Sequence, residues 1–197
     1  MYDYLIVGAG LFGSVFAEHA VRDGKKVLVI DKRKHVAGNC YTESINGIDV
    51  HRYGAHIFHT RSKDIWHYIR KFGFLLHYRH RVKANYKDRI YTFPINLTTL
   101  YEVYGVCDLE KALKALEADI EKSNGFSLEG FALRTVGRKV YEIFVKGYTE
   151  KQWGLECSEL PKFILKRIPI RKTHDDSYFS DWYQGIPAEG YTRIIEN

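Results

Sequence analysis

The sequence predicts an α/β protein that begins with a β-α-β unit, and three observations near its N-terminus support this fold class. The apolar run Leu5-Ile6-Val7 leads directly into glycines at positions 8, 10 and 13. A helical pattern follows, and it places five residues on one face: Phe12, Val15, Phe16, His19 and Ala20. A second apolar run, residues 27–30, then ends at Asp31. Apolar runs on both sides of such a helix are typical of two parallel strands joined by a crossover helix.

The three glycines match the Gly-x-Gly-x-x-Gly pattern of dinucleotide-binding turns. Gly8 permits a tight turn, Gly10 lets the backbone approach a pyrophosphate, and Gly13 lets the helix pack closely on the strand. The helix N-terminus offers free N–H groups and a positive dipole end to an anion. Asp31 follows Gly13 by 18 residues and is placed to accept hydrogen bonds from an adenosine ribose. The pattern predicts a Rossmann-like dinucleotide site, and a plain β-α-β unit whose glycines serve only turns is the alternative.

Composition and charge narrow the classes of protein that this chain can represent. The 197 residues are 45% hydrophobic and 27% charged, which is typical of a globular protein of one or two domains. The net charge of +6 favours anionic partners such as diphosphates, but no basic run is dense enough to indicate nucleic acid. No apolar stretch approaches the ~20 residues that a membrane span needs, so we expect no membrane insertion.

The cysteines and the N-terminus indicate the cellular compartment. Cys40, Cys107 and Cys157 are an odd number without C-x-x-C spacing, so we expect neither a disulfide framework nor a metal site. Met1 leads almost directly into a strand, so we expect no signal peptide. Both observations favour a cytoplasmic protein.

The sequence after Asp31 indicates a hairpin, a loop and a ribbon. Asn46-Gly47 is a hairpin turn signal between two short strand-like runs. Residues 53–59 are small and aromatic, and we expect a loop there, followed by a helix that Ser62 caps. Residues 77–94 alternate in the manner of a two-stranded ribbon.

Helical periodicity dominates from residue 96 to about residue 170. Leu109, Leu113, Leu116 and Ile120 recur at spacings of 4, 3 and 4, which predicts a helix with a buried apolar stripe. We therefore expect a dinucleotide-binding part (1–76), a β-ribbon (77–95), a helical domain (96–184) and a return to the first part (185–197). Only two parallel strands are predicted, whereas a doubly wound sheet needs more. We expect the sequence to be the N-terminal piece of a longer protein.

Six motifs make the whole chain resemble the N-terminal half of the bacterial UDP-galactopyranose mutases. They are residues 2–13, Gly38-Asn39, residues 53–60, residues 146–154, residues 166–171 and residues 178–187. The last four are long and unusual. The glycine motif alone would admit many other flavin and nicotinamide enzymes.

The resemblance implies an enzyme that interconverts UDP-galactopyranose and UDP-galactofuranose for polysaccharide biosynthesis. It implies FAD in its reduced form, with an N5–sugar adduct, and UDP-galactose as the substrate. The implied fold is a Rossmann-like FAD-binding β-α-β unit with a β-ribbon and an inserted helical substrate domain that carries a mobile lid. This arrangement is a fragment of a larger fold, and we expect a homodimer.

The resemblance also assigns a cofactor site. The residues that match the pyrophosphate turn are Gly8, Gly10, Leu11, Phe12 and Gly13. The residues that match the ribose and flavin contacts are Asp31, Lys32, Gly38, Asn39, His56 and Ile57. Of these, Asp31 and Lys32 stand at the adenosine ribose. His56 stands beside the isoalloxazine and is assigned a catalytic role.

The substrate site is assigned in the same way. The residues that match it are His80, Phe144, Tyr148, Thr149, Trp153, Arg167 and Tyr178. The aromatic residues among them would form a wall for the uracil or the sugar diphosphate. Arg167 would neutralise the diphosphate, since a planar guanidinium fork suits phosphate oxygens, and it is the second residue with a catalytic role.

Two other functions remain open from the sequence. Another FAD oxidoreductase of the amine-oxidase-like superfamily would share the first β-α-β unit but not the motif at residues 147–153. A non-catalytic nucleotide-binding fragment would bind UDP without flavin turnover.

Overall fold

The computed structural model describes residues 1–123, 125–167 and 171–197, except for the side chains of Lys166 and Arg167. The chain forms two compact units within these ranges. The first unit contains residues 1–80 and 179–197, and the second contains residues 81–178. The ribbon therefore shares a unit with the helices. Every helix among the described residues is too short or too polar to cross a membrane.

The first unit begins with the predicted β-α-β arrangement. Strand β1 (Tyr4–Val7) is followed by helix α1 (Leu11–Arg22) and strand β2 (Val27–Ile30). The two strands pair in parallel, with Tyr4 opposite Val27 and Val7 opposite Ile30. The parallel pairing and the crossover helix confirm the fold class inferred from the apolar runs.

One face of this small sheet packs on α1 and the other is exposed. A methyl group built at Gly13 of α1 would lie 3.2 Å from a side-chain carbon of Ile6, so Ile6 points toward the helix. Leu5 and Val7 alternate to the opposite face and are 62% and 78% exposed. Parallel strands are normally covered on both faces, so this face has the composition of an interior surface.

The next elements of the first unit form a hairpin. Strands β3 (Thr42–Ile45) and β4 (Ile48–His51) pair antiparallel. Asn46 and Gly47 both have positive φ, as the tight turn predicted for this pair requires.

A short strand follows where the sequence predicted only a loop. Strand β5 (Phe58–Thr60) occupies the end of the segment 53–59. Helix α2 (Lys63–Ile69) begins as expected at Ser62, whose side-chain oxygen accepts a hydrogen bond from the Ile65 N–H. Strand β6 (Leu75–His77) completes this stretch of the unit.

The second unit opens with the predicted ribbon. Strands β7 (Val82–Tyr86) and β8 (Arg89–Phe93) pair antiparallel around a two-residue turn. Helices α3 (Leu97–Tyr104) and α4 (Leu109–Asp119) follow.

The apolar stripe predicted for α4 is only partly buried, and this expectation was wrong. Leu109 and Leu113 are 46% and 44% exposed, and Ile120 lies just beyond the helix. The fully buried residue of α4 is Ala112, with Leu116 packed at the edge of the core. The small Ala112 side chain allows close approach to the core, so the larger leucines flank the contact instead of filling it.

The remaining helices of the second unit surround its core. Helix α5 (Leu128–Val140) has a break at Gly137, where φ is 76°. A π-helical turn (Tyr141–Lys146) leads into helix α6 (Gly147–Trp153), and a 3₁₀ helix spans Lys162–Arg167. The buried core draws on the ribbon and on these helices, and it includes Tyr91, Leu100, Ala112, Leu128, Val136, Val140, Phe144, Val145 and Leu165.

The chain then returns to the first unit. Strand β9 (Tyr183–Pro187) pairs antiparallel with both β5 and β6 and gives the strand order β5-β9-β6. Helix α7 (Gly190–Glu196) follows, and its Ile194 packs with Ile69 and Leu75 in a small core.

Helix α3 depends on a capping box that is fully buried. The Asn96 side-chain oxygen accepts a hydrogen bond from the Thr99 N–H at 3.0 Å, and the Thr99 hydroxyl oxygen accepts one from the Asn96 N–H at 3.0 Å. The Asn96 amide also donates to the Asp175 carbonyl at 3.3 Å. Replacing Asn96 would therefore leave the buried Thr99 N–H without its partner, whereas the Asp175 carbonyl would keep its bond from the Arg171 guanidinium at 3.1 Å.

We predict that Asn96→Ala lowers the free energy of unfolding by about 2–3 kcal/mol, because it removes a cap and leaves the buried Thr99 N–H unpaired. The matched control is Asp108→Ala, which removes the exposed cap of α4, where Asp108 accepts from the Lys111 N–H at 2.9 Å. The control should cost only about 0.5–1 kcal/mol. Urea unfolding measures the stability of both variants. Equal losses of unfolding free energy would contradict the idea that burial makes the Asn96 cap the more important one.

Candidate functional site

The predicted pyrophosphate turn has the geometry that its glycines suggest. Gly8 has φ of 109°, and its N–H donates to the Ile30 carbonyl at 2.7 Å. A methyl group at Gly13 would lie 2.0 Å from the Gly8 carbonyl oxygen, so only glycine allows this close packing. Helix α1 begins after Gly10 without a side-chain cap. The N–H groups of its first turn, which includes Leu11 and Phe12, are therefore left for an anion.

Asp31 ties this turn to the loop that follows β2. One Asp31 carboxylate oxygen accepts from the Ala9 N–H at 2.7 Å, and the other accepts from the Arg33 N–H at 2.8 Å. These two backbone donors hold the pKa of the Asp31 carboxyl below its usual value. The carboxylate therefore stays ionised and keeps lone pairs for further donors such as ribose hydroxyls.

A second glycine loop packs against the first. The Ala37 N–H donates to the Ala9 carbonyl at 2.8 Å. A methyl group at Gly38 would lie 3.1 Å from the Gly10 Cα, so these two residues meet backbone to backbone. Ala37 itself has φ of 70°, a conformation that favours glycine. The two loops together form a cradle of half-buried backbone at Gly8, Gly10 and Gly38, which we call the glycine cradle.

Asn39 belongs to a polar and aromatic cluster that the sequence did not reveal. The Arg33 guanidinium donates to the Asn39 side-chain oxygen at 2.9 Å and lies 4.4 Å from the centre of the Tyr53 ring. His35 stacks on Tyr41 at 3.8 Å and hydrogen-bonds the Tyr53 hydroxyl at 2.8 Å. The basic run at residues 32–34 and the motif that begins at residue 53 were the available signals. Lys32 is exposed beside this cluster.

His56 is held by a neighbouring histidine. The His56 backbone N–H donates to Nδ1 of His51 at 3.0 Å, and the His56 ring nitrogen Nδ1 lies 2.8 Å from the Gly54 carbonyl oxygen. A carbonyl only accepts, so His56 Nδ1 carries the proton and Nε2 is left as an acceptor when the ring is neutral. Ile57 is half-buried beside it. Burial, with a smaller contribution from His56, lowers the pKa of His51.

His80 lies in a column of rings in the first unit. The Phe179 ring stacks on His59 at 3.7 Å and on His80 at 5.9 Å. Nδ1 of His80 lies 3.2 Å from the Tyr78 hydroxyl. Burial lowers the pKa of His80. The sequence assigned His80 to the substrate site but assigned no role to His59 or Phe179, although both lie in motifs that carry the family resemblance.

Two predicted substrate residues meet in the second unit through a third aromatic ring. Phe93 stacks with Phe144 at 6.1 Å and is tilted against Tyr178 at 6.2 Å. Phe144 is buried, and its ring also contacts Tyr91 edge-on at 5.7 Å. Phe144 therefore has a core role whatever else it contacts.

Helix α6 carries the other aromatic candidates. Tyr148 and Trp153 are 69% and 50% exposed, which leaves both rings available to a ligand. Thr149 is buried. Arg167 ends the 3₁₀ helix, but its side chain lies outside the described residues.

The fold and the glycine cradle define the class first: this is a Rossmann-like α/β protein of the dinucleotide-binding type. Residues 6–72 match the family of NAD(P)-binding Rossmann-like domains. At the other end of the chain, residues 143–197 match the UDP-galactopyranose mutase family. The chain is a homologue of the UDP-galactopyranose mutases and corresponds to their N-terminal region, which confirms the resemblance found in the sequence.

Individual relatives agree with this placement. The chain is 42% identical to dTDP-fucopyranose mutase of Escherichia coli, over 100% of this chain and 54% of the relative. It is also 42% identical to a probable UDP-galactopyranose mutase of Klebsiella pneumoniae, over 98% of this chain and 51% of the relative. A solved structure of reduced UDP-galactopyranose mutase has the same fold, with a TM-score of 0.62 at 16% identity, over 99% of this chain and 45% of that one. The chain spans about half the length of the curated relatives it matches.

We predict that Gly13→Ala lowers the free energy of unfolding by about 3 kcal/mol and weakens dinucleotide binding, for which FAD is the probe, because the new methyl group collides with a backbone oxygen that cannot rotate away. The control is Gly24→Ala, where φ is 75° but no atom lies within 4 Å of the new methyl group. That change should cost about 1 kcal/mol of backbone strain and leave FAD binding unchanged. Urea unfolding and FAD titration test the pair, and similar losses in both variants would count against the packing argument.

We predict that His51 makes stability depend on pH. Its pKa in the folded chain is below the ordinary 6.5, so the unfolded chain takes up the proton first as the pH falls. The stabilisation is complete above pH 6.5 and declines as the pH falls from there through the lowered pKa. His51→Asn should remove this decline yet keep an acceptor for the His56 N–H, whereas His51→Ala should lose the acceptor as well. Unfolding between pH 5 and pH 8 distinguishes them, and an unchanged pH profile in His51→Asn would refute the prediction.

Proposed function

We propose that the protein to which this chain contributes binds FAD and interconverts the pyranose and furanose forms of a nucleotide-bound sugar, with UDP-galactose as the substrate. The match of residues 143–197 to the UDP-galactopyranose mutase family is the observation that carries the proposal. A cytoplasmic homodimer is part of the same proposal.

The glycine cradle supports a dinucleotide cofactor, which the match to the mutase family suggests is FAD. Methyl groups at Gly10 and Gly38 would fill the narrow space between the two loops, so the backbone itself is the contact surface. The pyrophosphate would lie at the start of α1, against the N–H groups of the turn that Gly8 and Gly13 permit. In this proposal reduced FAD supplies a nucleophilic flavin nitrogen for the sugar carbon.

The chain's own polar residues would orient the cofactor along its length. Asp31 is ionised and still has lone pairs for the ribose hydroxyls, with Lys32 beside it. Asn39 is fixed by Arg33 at the other end of the loop. His56 and Ile57 would lie beside the flavin ring, with the His56 peptide held by His51.

The second unit would supply the nucleotide-sugar contacts. Tyr148 and Trp153 expose aromatic surface that suits a flat base. Tyr178 lies against Phe93, which in turn stacks on Phe144. Arg167 would pair with the diphosphate through its guanidinium fork, and Thr149 completes the proposed set from this unit. His80 is the proposed substrate residue that belongs to the first unit.

A different nucleotide sugar is the second candidate, because one specific observation favours it. The relative that is named a dTDP-fucopyranose mutase is 42% identical to this chain, as is the relative named a probable UDP-galactopyranose mutase. Sequence identity therefore does not show whether the base of the substrate is uracil or thymine, or whether its sugar is galactose or fucose. The exposed rings of α6 would accept either base.

We predict that the purified chain binds FAD and that the protein containing the mutase second half converts UDP-galactose once the flavin is reduced. The chain is mixed with FAD and dialysed, and a retained band near ~450 nm reports the bound oxidised cofactor. Because the chain spans about half the length of its relatives, we expect these 197 residues alone to retain FAD weakly and to convert little UDP-galactose.

The same preparation separates the alternatives. Conversion of dTDP-fucose in preference to UDP-galactose would support the second candidate, in which the substrate is a different nucleotide sugar. Oxidation of an amine or alcohol with release of peroxide would indicate an amine-oxidase-like enzyme. UDP binding without any flavin binding would overturn the flavoenzyme proposal and leave a nucleotide-binding module.

A further inference from the structure

A hydrogen bond between a histidine and an aspartate joins two motifs of the first unit across 122 positions of sequence. Nδ1 of His59 lies 2.6 Å from one Asp181 carboxylate oxygen. Nε of Arg61 donates to the other oxygen at 3.0 Å, and the Arg61 guanidinium also reaches the Ser180 hydroxyl at 2.9 Å. These contacts with His59, and more weakly with Arg61, hold the pKa of the Asp181 carboxyl below its usual value. We call His59, Arg61 and Asp181 the His59 triad.

The hydrogen bond to Asp181 determines which ring nitrogen carries the proton. An ionised carboxylate only accepts, so the His59 proton lies on Nδ1. Nε2 of neutral His59 is then an acceptor. The Arg61 and Asp181 charges cancel, so a neutral His59 leaves the triad uncharged and suited to a hydroxyl donor.

The ring of His59 is fixed in direction as well as in tautomer. It stacks on Phe179 with an interplanar angle of 15°, and Phe179 in turn stacks on His80. The His59 side chain is 37% exposed and the Asp181 side chain is 20% exposed. The imidazole is therefore the more accessible member of this pair, and it shares a ring column with a proposed substrate residue.

Gln184 braces the turn that carries Asp181. It lies opposite His59 in the pairing of β5 with β9, and it is only 5% exposed. Its amide nitrogen donates to the carbonyl of Asp181 at 2.8 Å and to that of Phe179 at 3.3 Å. Its buried side-chain oxygen has no hydrogen-bond partner within the described residues. Both carbonyls accept hydrogen bonds, so the NH₂ group of the Gln184 amide must face them. The Gln184 side-chain oxygen then points the other way and can accept from another donor.

We propose that Asp181 is a positioning residue, which holds His59 in the Nδ1–H tautomer flat against Phe179 so that Nε2 accepts a hydrogen bond from a hydroxyl of the bound nucleotide sugar. The identity of the ligand rests on the proposed function. The tautomer is a property of the chain itself and is measurable without ligand.

Asp181→Asn provides a sharp test, because Arg61 dictates how the new amide is oriented. The atom that faces Arg61 must remain an acceptor, so the amide NH₂ group faces His59 and donates to Nδ1. Nε2 of His59 must then carry the proton, and it changes from an acceptor to a donor. The matched control is Glu43→Gln, which removes a carboxylate paired with Arg52 at 3.2 Å in the β3–β4 hairpin.

Long-range ¹H–¹⁵N NMR of the labelled chain reads out the His59 tautomer directly. We expect Nδ1–H in the wild-type chain and in Glu43→Gln, and Nε2–H in Asp181→Asn. A wild-type Nε2–H tautomer would overturn the positioning role even if the Asp181 variant fails to fold.

UDP-galactose titration of the same samples tests the ligand contact. We expect the wild-type His59 Nε2 resonance to shift on binding, and Asp181→Asn to bind about tenfold more weakly while Glu43→Gln binds normally. A changed tautomer with unchanged affinity would show that His59 does not contact the ligand. Absence of UDP-galactose binding both by the wild-type chain and by the protein that contains the mutase second half would overturn the proposed function and the ligand contact, and the tautomer result would still decide the role of Asp181.

Discussion

The candidate cofactor site depends on the Asp31 carboxylate and its two backbone donors. Its hydrogen bond to the Ala9 N–H fixes the turn after β1, and its bond to the Arg33 N–H fixes the start of the loop after β2. Because the turn and the loop are fixed together, Gly10 and Gly38 can meet backbone to backbone. A glycine-rich turn has high conformational entropy, so a shape suited to a pyrophosphate needs such an external anchor. The acidic residue therefore organises the turn and the loop, in addition to its proposed contact with the ribose.

Local patterns predicted the parts of this fold in which partners are close in sequence. The β1-α1-β2 unit, the hairpin at Asn46-Gly47 and the ribbon each follow from periodicity or turn chemistry over fewer than 30 residues. The sheet β5-β9-β6 did not, because β5 has three residues and pairs with a strand more than 120 positions away. The apolar spacing of α4 predicted a helix correctly but not its buried face, since Ala112 makes the close contact that the leucines were expected to make.

The residues of the candidate site also divide into those that local sequence patterns predicted and those that only the fold reveals. Spacing and charge identified the glycine turn and Asp31, whose chemistry is local. The contact of His59 with Asp181 arises only when segments 122 positions apart fold together, and the contact of Asn39 with Arg33 depends on the irregular conformation of one loop. Their residue types gave no periodic signal, although each lies in or beside a motif that carried the resemblance. For Arg167 the sequence is the only source of a role. Its proposed role comes from its motif, and its side chain lies outside the described residues.

The exposed face of the β1-β2 sheet links stability to cofactor binding. Leu5 and Val7 are apolar and largely exposed, and a two-stranded parallel sheet with one open face gains little from burial. The curated relatives are about twice as long as this chain. A ligand that binds only the folded cradle adds about 2.7 kcal/mol of stability when present at 100 times its Kd, which is large for a small sheet. The β-α-β unit should therefore gain more from FAD than the second unit does. Unfolding of each unit against FAD concentration would then report cofactor binding independently of turnover.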